Sequence, residues 1–150
     1  MTGLLPSENE THLVFCRPDV DPEVVTRILQ LPPTESLRVG DKAQYPWNGQ
    51  WFVSNVGLWK LRLPPAEPGA DQRVEDQLAR WVEFLQPKSG ALRQLTELGY
   101  RPYLDCKAEA RSLSLCIDPE VLTALGALNI ALSVWLYEFP RADAQTFEPS

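Results

Sequence analysis

The sequence predicts one α+β domain over residues 1–150, with an antiparallel sheet of about five or six strands and helices mainly on one face. Three observations support this class. Short runs of alternating apolar and polar residues recur along the chain, helical patterns separate them, and prolines and glycines mark the boundaries. A chain of 150 residues is long enough to bury one core. Residues 1–10 and 141–150 lack such patterns, and we expect them to be flexible tails.

The first predicted elements are a strand over residues 11–16 and the helix that follows it. Asp21 suits the N-cap of this helix because its side chain can accept a hydrogen bond from a backbone N–H in the first turn. Pro22 fits the first helical position, where its missing N–H costs nothing. The helix ends before Pro32, since proline cannot continue it.

The segment over residues 34–57 combines turn residues with an unusual density of large aromatic side chains. These are Tyr45, Trp47, Trp51 and Phe52. They surround Asn48-Gly49, a dipeptide that favours a two-residue hairpin turn with positive φ at both positions. Residues 58–63 then alternate, which predicts a strand with Trp59 on its buried face.

Helical spacing dominates the next part of the chain. Four apolar residues recur at steps of four, three and four, which places them on one stripe: Val74, Leu78, Trp81 and Leu85. Pro87 interrupts this helix, and a second helix ends at Gly99, which suits the left-handed position after a helix. The remaining predicted elements are strands over residues 103–108 and 113–117, a helix over residues 119–128 and a strand over residues 130–139.

Residues 21–31 (DPEVVTRILQL) and 118–128 (DPEVLTALGAL) are identical at six of eleven positions, and each follows a strand-like run. One explanation is an internal duplication of a strand–helix unit, as in ferredoxin-like sheets. The other is convergence on a good helix start, with Asp, Pro and Glu in the cap and first turn. Capping does not dictate Thr26 and Thr123, which slightly favours duplication. Under either explanation, Asp21 and Asp118 are helix caps and not catalytic residues.

The same segments resemble the bacterial domain-of-unknown-function family 4279. The resemblance rests on DPEVVTRILQL, PPTESLRVGD, VGLWKLRL, a helix pair ending in ELGY, and DPEVLTALGALNIALSVWLYEF, and it spans roughly residues 11–139. These motifs are structural, and the family has no agreed catalytic residues to carry over. Some of its members are suspected immunity proteins beside secreted bacterial toxins, and the resemblance implies this function here.

Charge and missing motifs argue against several functions. Fourteen Lys and Arg against 20 Asp and Glu give a net charge of −6, which opposes binding to nucleic acid and to anionic membranes. The longest apolar stretch is broken at Asp118, so we expect no membrane span and a cytoplasmic location. The sequence has no zinc-ligand cluster and no phosphate-binding loop, so we expect no metal or other cofactor.

We also expect no catalytic activity. His12 is the only histidine in the chain. It shares a strand face with Cys16, but four extended residues separate the two by about 13 Å, too far for a hydrogen-bonded catalytic pair. A structural role for His12 is therefore the expectation.

The aromatic segment is the predicted contact surface, because Trp and Tyr bury much area in interfaces while losing few rotamers. The predicted partner-binding residues are Tyr45, Trp47, Trp51 and Phe52, with the acidic residues Glu75 and Asp76 as a further contact. The expected partner is a protein toxin. A basic nuclease is one option, for which acidic residues would mimic phosphate.

A different class of function stays open from the sequence. A small-ligand binding or sensory domain would need a pocket, which Trp59, Trp81 and Trp135 would line. The sequence leaves the oligomeric state undecided.

Overall fold

The computed structural model describes residues 9–45, 47–63, 73–109 and 115–137. Their elements are, in chain order, β1 (Glu10–Arg17), α1 (Pro22–Leu29), β2 (Glu35–Leu37), β3 (Lys42–Gln44), β4 (Trp51–Val53), β5 (Gly57–Arg62), α2 (Val74–Leu85), a 3-10 turn (Gln86–Lys88), α3 (Ser89–Glu97), β6 (Tyr103–Glu109), α4 (Pro119–Ala127) and β7 (Ala131–Tyr137). The predicted tails lie outside the described residues except for Asn9 and Glu10, and Glu10 begins β1.

The main sheet has five strands in the order β2-β5-β1-β6-β7, and β3 pairs with β4 in a separate two-stranded sheet. The central strand β1 is antiparallel to both β5 and β6, and β2 is antiparallel to β5. The predicted α+β class is confirmed. One pair departs from the antiparallel prediction, because β6 and β7 run parallel. Parallel neighbours need a crossover connection, and α4 lies in the segment that joins these two strands.

The helices cover one face of the main sheet, as predicted. Helix α1 packs on β5, whereas α2 packs on β1 and β6. Strand alternation directs the largest side chains toward these helices, and the following are fully buried: Leu13, Phe15, Trp59 and Leu104. Each such side chain stabilises the fold by about 1.5–3 kcal/mol through the apolar area it removes from water. Within the described residues, no helix has the length and hydrophobicity needed to cross a membrane.

The predicted ends of the helices are confirmed at two positions that meet in space. The N–H of Glu23 donates to the Asp21 carboxylate at 3.0 Å, which caps α1. After α3, Gly99 adopts φ +91°, and the N–H of Tyr100 reaches back to the Leu95 carbonyl at 2.9 Å. The Tyr100 hydroxyl also accepts a hydrogen bond from the N–H of Asp21 at 3.1 Å. The end of α3 is therefore tied to the start of α1.

The segment before α4 differs from the prediction. Residues 115–117 do not form a strand, and residues 113 and 114 of the predicted strand lie outside the described residues. The N–H of Cys116 donates to the Glu75 side chain at 3.3 Å, so a carboxylate takes the place of a strand neighbour. Asp118 stands at the N-cap of α4, but its side chain makes no capping hydrogen bond among the described residues. The backbone oxygen of Asp118 accepts instead, from Val121 at 3.0 Å.

The two copies of the DPEV pattern bury different positions. Val25 is a fully buried residue of α1, while its counterpart Leu122 is exposed on α4. Thr26 accepts a hydrogen bond from the Trp59 indole at 3.0 Å, whereas Thr123 is exposed. The ferredoxin-like duplication stays a hypothesis, because the shared sequence does not correspond to shared packing.

Candidate protein-interaction site

Residues 42–53 form a hairpin that leaves the main sheet after β2 and returns to it at β5. Its register pairs Lys42 with Val53, Ala43 with Phe52, and Gln44 with Trp51. Because side chains alternate along a strand, Lys42, Trp51 and Val53 lie on one face. Phe52 and Tyr45 lie on the other. We call residues 42–53 the aromatic hairpin.

Stacked rings stiffen this hairpin. The Tyr45 ring lies 4.4 Å from Phe52 and 4.8 Å from Trp47, centroid to centroid, with interplanar angles of 21° and 27°. Aromatic pairs of this kind add about 0.5–1.5 kcal/mol beyond the area that they bury. A two-stranded hairpin is only marginally stable by itself in water. The stack therefore helps to hold the aromatic side chains in one arrangement.

The aromatic hairpin presents large apolar side chains to solvent. The exposed fraction is 74% for Trp47 and 66% for Trp51, and Val53 is also exposed. An open groove of about 440 Å³ is lined by Lys42, Trp51, Phe52 and Val53. Scattered exposed apolar residues are ordinary, but a contiguous patch of them is typical of an interaction surface.

Hydrogen bonds within residues 38–56 close the base of the hairpin. The N–H of Gly40 donates to the Ser54 carbonyl at 2.7 Å, and the N–H of Ser54 donates to the Asp41 carbonyl at 2.8 Å. The buried Ser54 hydroxyl donates to the Val56 carbonyl at 2.8 Å. The Asp41 carboxylate accepts from the N–H of Arg38 at 2.8 Å. These bonds pre-organise the hairpin, which lowers the entropy cost of binding through it.

The turn of the hairpin is longer than the sequence predicts. Among the described residues, positive φ occurs at Gly49 and not at Asn48, so a two-residue turn with both residues in that region is wrong. The N–H of Tyr45 donates to the Gln50 carbonyl at 2.9 Å, and this bond closes a loop longer than two residues. Asn48 accepts from the N–H of Gln50 through its side chain at 2.9 Å. The observed register differs by two residues from that of a two-residue turn at Asn48-Gly49, a shift that leaves the alternation of faces along each strand unchanged.

The acidic pair lies elsewhere. Glu75 accepts hydrogen bonds from Arg73 at 2.8 Å and from the N–H of Cys116 at 3.3 Å, toward α4. Partial burial raises the pKa of Glu75, but hydrogen bonds from its own backbone, Arg73 and Cys116 together lower it. Asp76 is exposed in the first turn of α2. The aromatic hairpin joins the β2 and β5 side of the sheet, whereas α2 packs on β1 and β6. Tyr45, Trp47 and Phe52 stack together on one face of the aromatic hairpin, Trp51 lies on the other face, and the acidic pair joins neither.

Three tryptophans predicted to line a ligand pocket are not brought together. Trp59 and Trp81 are fully buried on the helix-covered face, where the indole N–H of Trp81 donates to the Thr11 hydroxyl at 2.8 Å. Trp135 lies opposite Lys107 in register, on the face away from the described helices, and is exposed. The groove on the aromatic hairpin is built from Lys42 and Val53 instead, which sequence reasoning missed. The alternation of side chains along β3 and β4 could have indicated Lys42 and Val53, but only if the register of the hairpin had been known.

His12 lies buried on the face of β1 that points away from the described helices, opposite Arg62 and Asp105 in register. Burial, reinforced by Lys60, lowers the pKa of His12 to about 4, so its imidazole is neutral at pH 7. Within the described ranges, no group of three or more His, Cys, Asp or Glu side chains is placed to hold a metal ion.

The fold and this surface define an α+β domain with an exposed aromatic hairpin. Residues 7–139 match the family described as a domain of unknown function, DUF4279. The chain belongs to that family. Comparisons with curated proteins and with solved structures gave no match.

Proposed function

We propose that this protein is a protein-binding module, and specifically a cytoplasmic immunity protein that binds and neutralises a bacterial toxin through the aromatic hairpin. One observation carries the proposal. Two tryptophans, Trp47 and Trp51, stand largely exposed on a hairpin that hydrogen bonds and stacked rings hold in place. The resemblance to a family with suspected immunity proteins supports the toxin as the partner.

Exposed Trp side chains on a fixed support have the properties of interface anchors. A Trp side chain buries about 150–250 Å² in a contact. Such residues are over-represented among those whose removal costs binding at least about 2 kcal/mol. The groove beside Trp51 is open, which suits the projecting side chain of a partner protein.

Charge at the hairpin specifies the chemistry of the partner surface. Lys42 is the only charged residue among residues 42–53. A complementary surface would present apolar side chains to Trp47 and Trp51 and a carboxylate to Lys42. The net charge of −6 acts at longer range and would steer a basic partner toward the protein. The toxin would therefore carry a carboxylate at the contact with Lys42 and a net positive charge over its surface as a whole.

Co-expression with a toxin from the genes that neighbour this one tests the proposal. We expect the wild-type protein to restore growth, and we expect the double substitution of Trp47→Ala and Trp51→Ala to weaken toxin binding by about 30-fold or more. Trp135→Ala is the matched control, because it removes an equally exposed Trp from the opposite side of the sheet. Continued killing in the presence of the wild-type protein would contradict the immunity function. If the double variant and the control bind the toxin equally well, the hairpin is not part of the interface.

A small-ligand binding or sensory domain is the second candidate, favoured by the groove itself. Its volume of about 440 Å³ lies within the range of about 300–1,000 Å³ that ligand pockets occupy. A thermal-shift screen of small anionic and aromatic metabolites tests this candidate. A ligand that stabilises the wild-type protein, but neither Trp51→Ala nor Lys42→Ala, would support it. Absence of any such ligand, together with toxin protection, would reject it.

A further inference from the structure

The two edges of the main sheet differ in how they are protected. At one edge, β2 has only three residues, includes Glu35 and follows Pro32 and Pro33. Short edge strands, charged side chains and prolines are the usual means by which proteins prevent an edge from pairing with another chain. At the other edge, β7 has seven residues. It has no second strand neighbour among the described residues.

Strand β7 carries none of these protections. The chain has no charged residue from Val121 to Tyr137, a run that contains most of α4 and all of β7. The exposed fraction is 62% for Trp135 and 66% for Leu136. Val134 is also exposed, although its register partner Cys106 is buried in the core. Apolar side chains are therefore exposed on both faces of an uncharged edge.

We propose that β7 is the interface of a homodimer, in which two copies pair their β7 strands antiparallel about a two-fold axis at Val134. The two main sheets then form one continuous sheet. Backbone N–H and C=O groups that face outward from β7 gain hydrogen-bond partners. The aromatic hairpin joins the β2 side of each sheet and stays free in the dimer.

A second copy fits this edge because the edge is complementary to itself. Pairing about Val134 sets Leu132 opposite Leu136 of the other copy, and the two Val134 side chains opposite each other. All of these lie on the helix-covered face, in register with the core residues of β6. On the other face, Trp135 lies opposite Ser133. Each copy carries a net charge of −6, but β7 contains no carboxylate, so pairing two β7 strands places no two carboxylates of the strands opposite each other.

The size of the interface sets the expected strength. Seven strand residues extend about 23 Å. A strand edge of that length, with its flanking side chains, offers roughly half of the 800 Å² per partner that a standard interface buries. We therefore expect a reversible dimer with a dissociation constant of about 1–100 µM, and not a permanent one.

Sedimentation equilibrium of the full chain over a concentration series from about 1 µM to about 500 µM tests the proposal. We expect a monomer–dimer equilibrium in the wild type. Trp135→Lys should raise the dissociation constant at least about tenfold, because it places two ammonium groups at diagonal positions of the paired strands, about 7–8 Å apart at the backbone. Trp47→Lys is the matched control and should leave the constant unchanged. An unchanged circular dichroism spectrum shows that both variants are folded.

A crosslink tests the register. Directly opposed strand residues have Cα atoms about 4.5–5.5 Å apart, which a disulfide can span. In a Cys116→Ser background, which removes an exposed thiol, Val134→Cys should form a covalent dimer on mild oxidation, and Trp47→Cys should not. A protein that stays monomeric at every concentration would overturn the proposal. A dimer that is dissociated by Trp47→Lys but not by Trp135→Lys would also overturn the proposal. Equal crosslinking of Val134→Cys and Trp47→Cys would overturn it as well.

Discussion

Gly57 begins β5 at the point where the aromatic hairpin returns to the main sheet, and it allows two backbone segments to touch. A Cβ atom at this position would lie 1.8 Å from the carbonyl oxygen of Val20 and 2.7 Å from its carbonyl carbon. Carbon and oxygen atoms that are not bonded need at least about 3 Å. Gly57→Ala would therefore force the two segments apart by more than about 1 Å.

Neither segment is free to move. Gly57 pairs with Arg17 in the β1–β5 ladder, and Val20 is buried in the core. Overpacking against side chains, which can rotate away, costs about 1–3 kcal/mol. Here the obstacle is backbone, so we expect Gly57→Ala to lower the free energy of unfolding by about 3–5 kcal/mol. In a domain of this size, that loss corresponds to a fall in Tm of about 10 °C or more.

Urea unfolding followed by circular dichroism measures this effect. Gly126→Ala is the control, because Gly126 lies in α4 with nothing within 4 Å of the added Cβ. We expect that substitution to raise the free energy of unfolding by about 0.5–1 kcal/mol, since alanine loses less conformational entropy than glycine in a helix. The same chemical change should thus have opposite signs at the two sites. A loss below about 1 kcal/mol in Gly57→Ala would refute the steric argument.

Two further predictions concern buried polar groups. Thr26→Val removes the hydroxyl that accepts from the buried Trp59 indole N–H at 3.0 Å, so the free energy of unfolding in urea should fall by about 1–3 kcal/mol. Thr123→Val is the control at an exposed site and should change the free energy of unfolding by no more than about 0.5 kcal/mol. Equal effects of the two substitutions would contradict a stabilising role for this hydrogen bond. Folding lowers the pKa of His12 from 6.5 to about 4, because burial and, to a smaller extent, Lys60 disfavour the charged imidazole. As the pH falls, His12 therefore binds a proton in the unfolded chain before it does so in the folded protein. The contribution of His12 to stability should be fully present above about pH 6.5 and be lost between there and about pH 4, by up to about 3 kcal/mol. His12→Gln should flatten that part of the stability profile, and an unchanged slope would contradict a buried neutral imidazole.

Much of the candidate site follows from the sequence. Tyr45, Trp47, Trp51 and Phe52 were identifiable because large aromatic side chains are unusual among turn residues. The contribution of Lys42 depends on its pairing with Val53, a register that the Asn48-Gly49 signal alone misplaces. The role of Glu75 was missed because its partner, Cys116, is distant in sequence.

Local chemistry and periodicity let the sequence by itself determine where several of the elements begin or end. Asp21 and Pro22 start α1, Gly99 ends α3, and the alternation around Trp59 sets its strand, because each signal acts within one or two turns of chain. Only the tertiary structure decided that β6 and β7 run parallel, that the acidic pair lies away from the hairpin, and that an uncharged strand stands at the sheet edge. These features depend on contacts between residues far apart in the chain, and no local pattern specifies which distant strand becomes a neighbour.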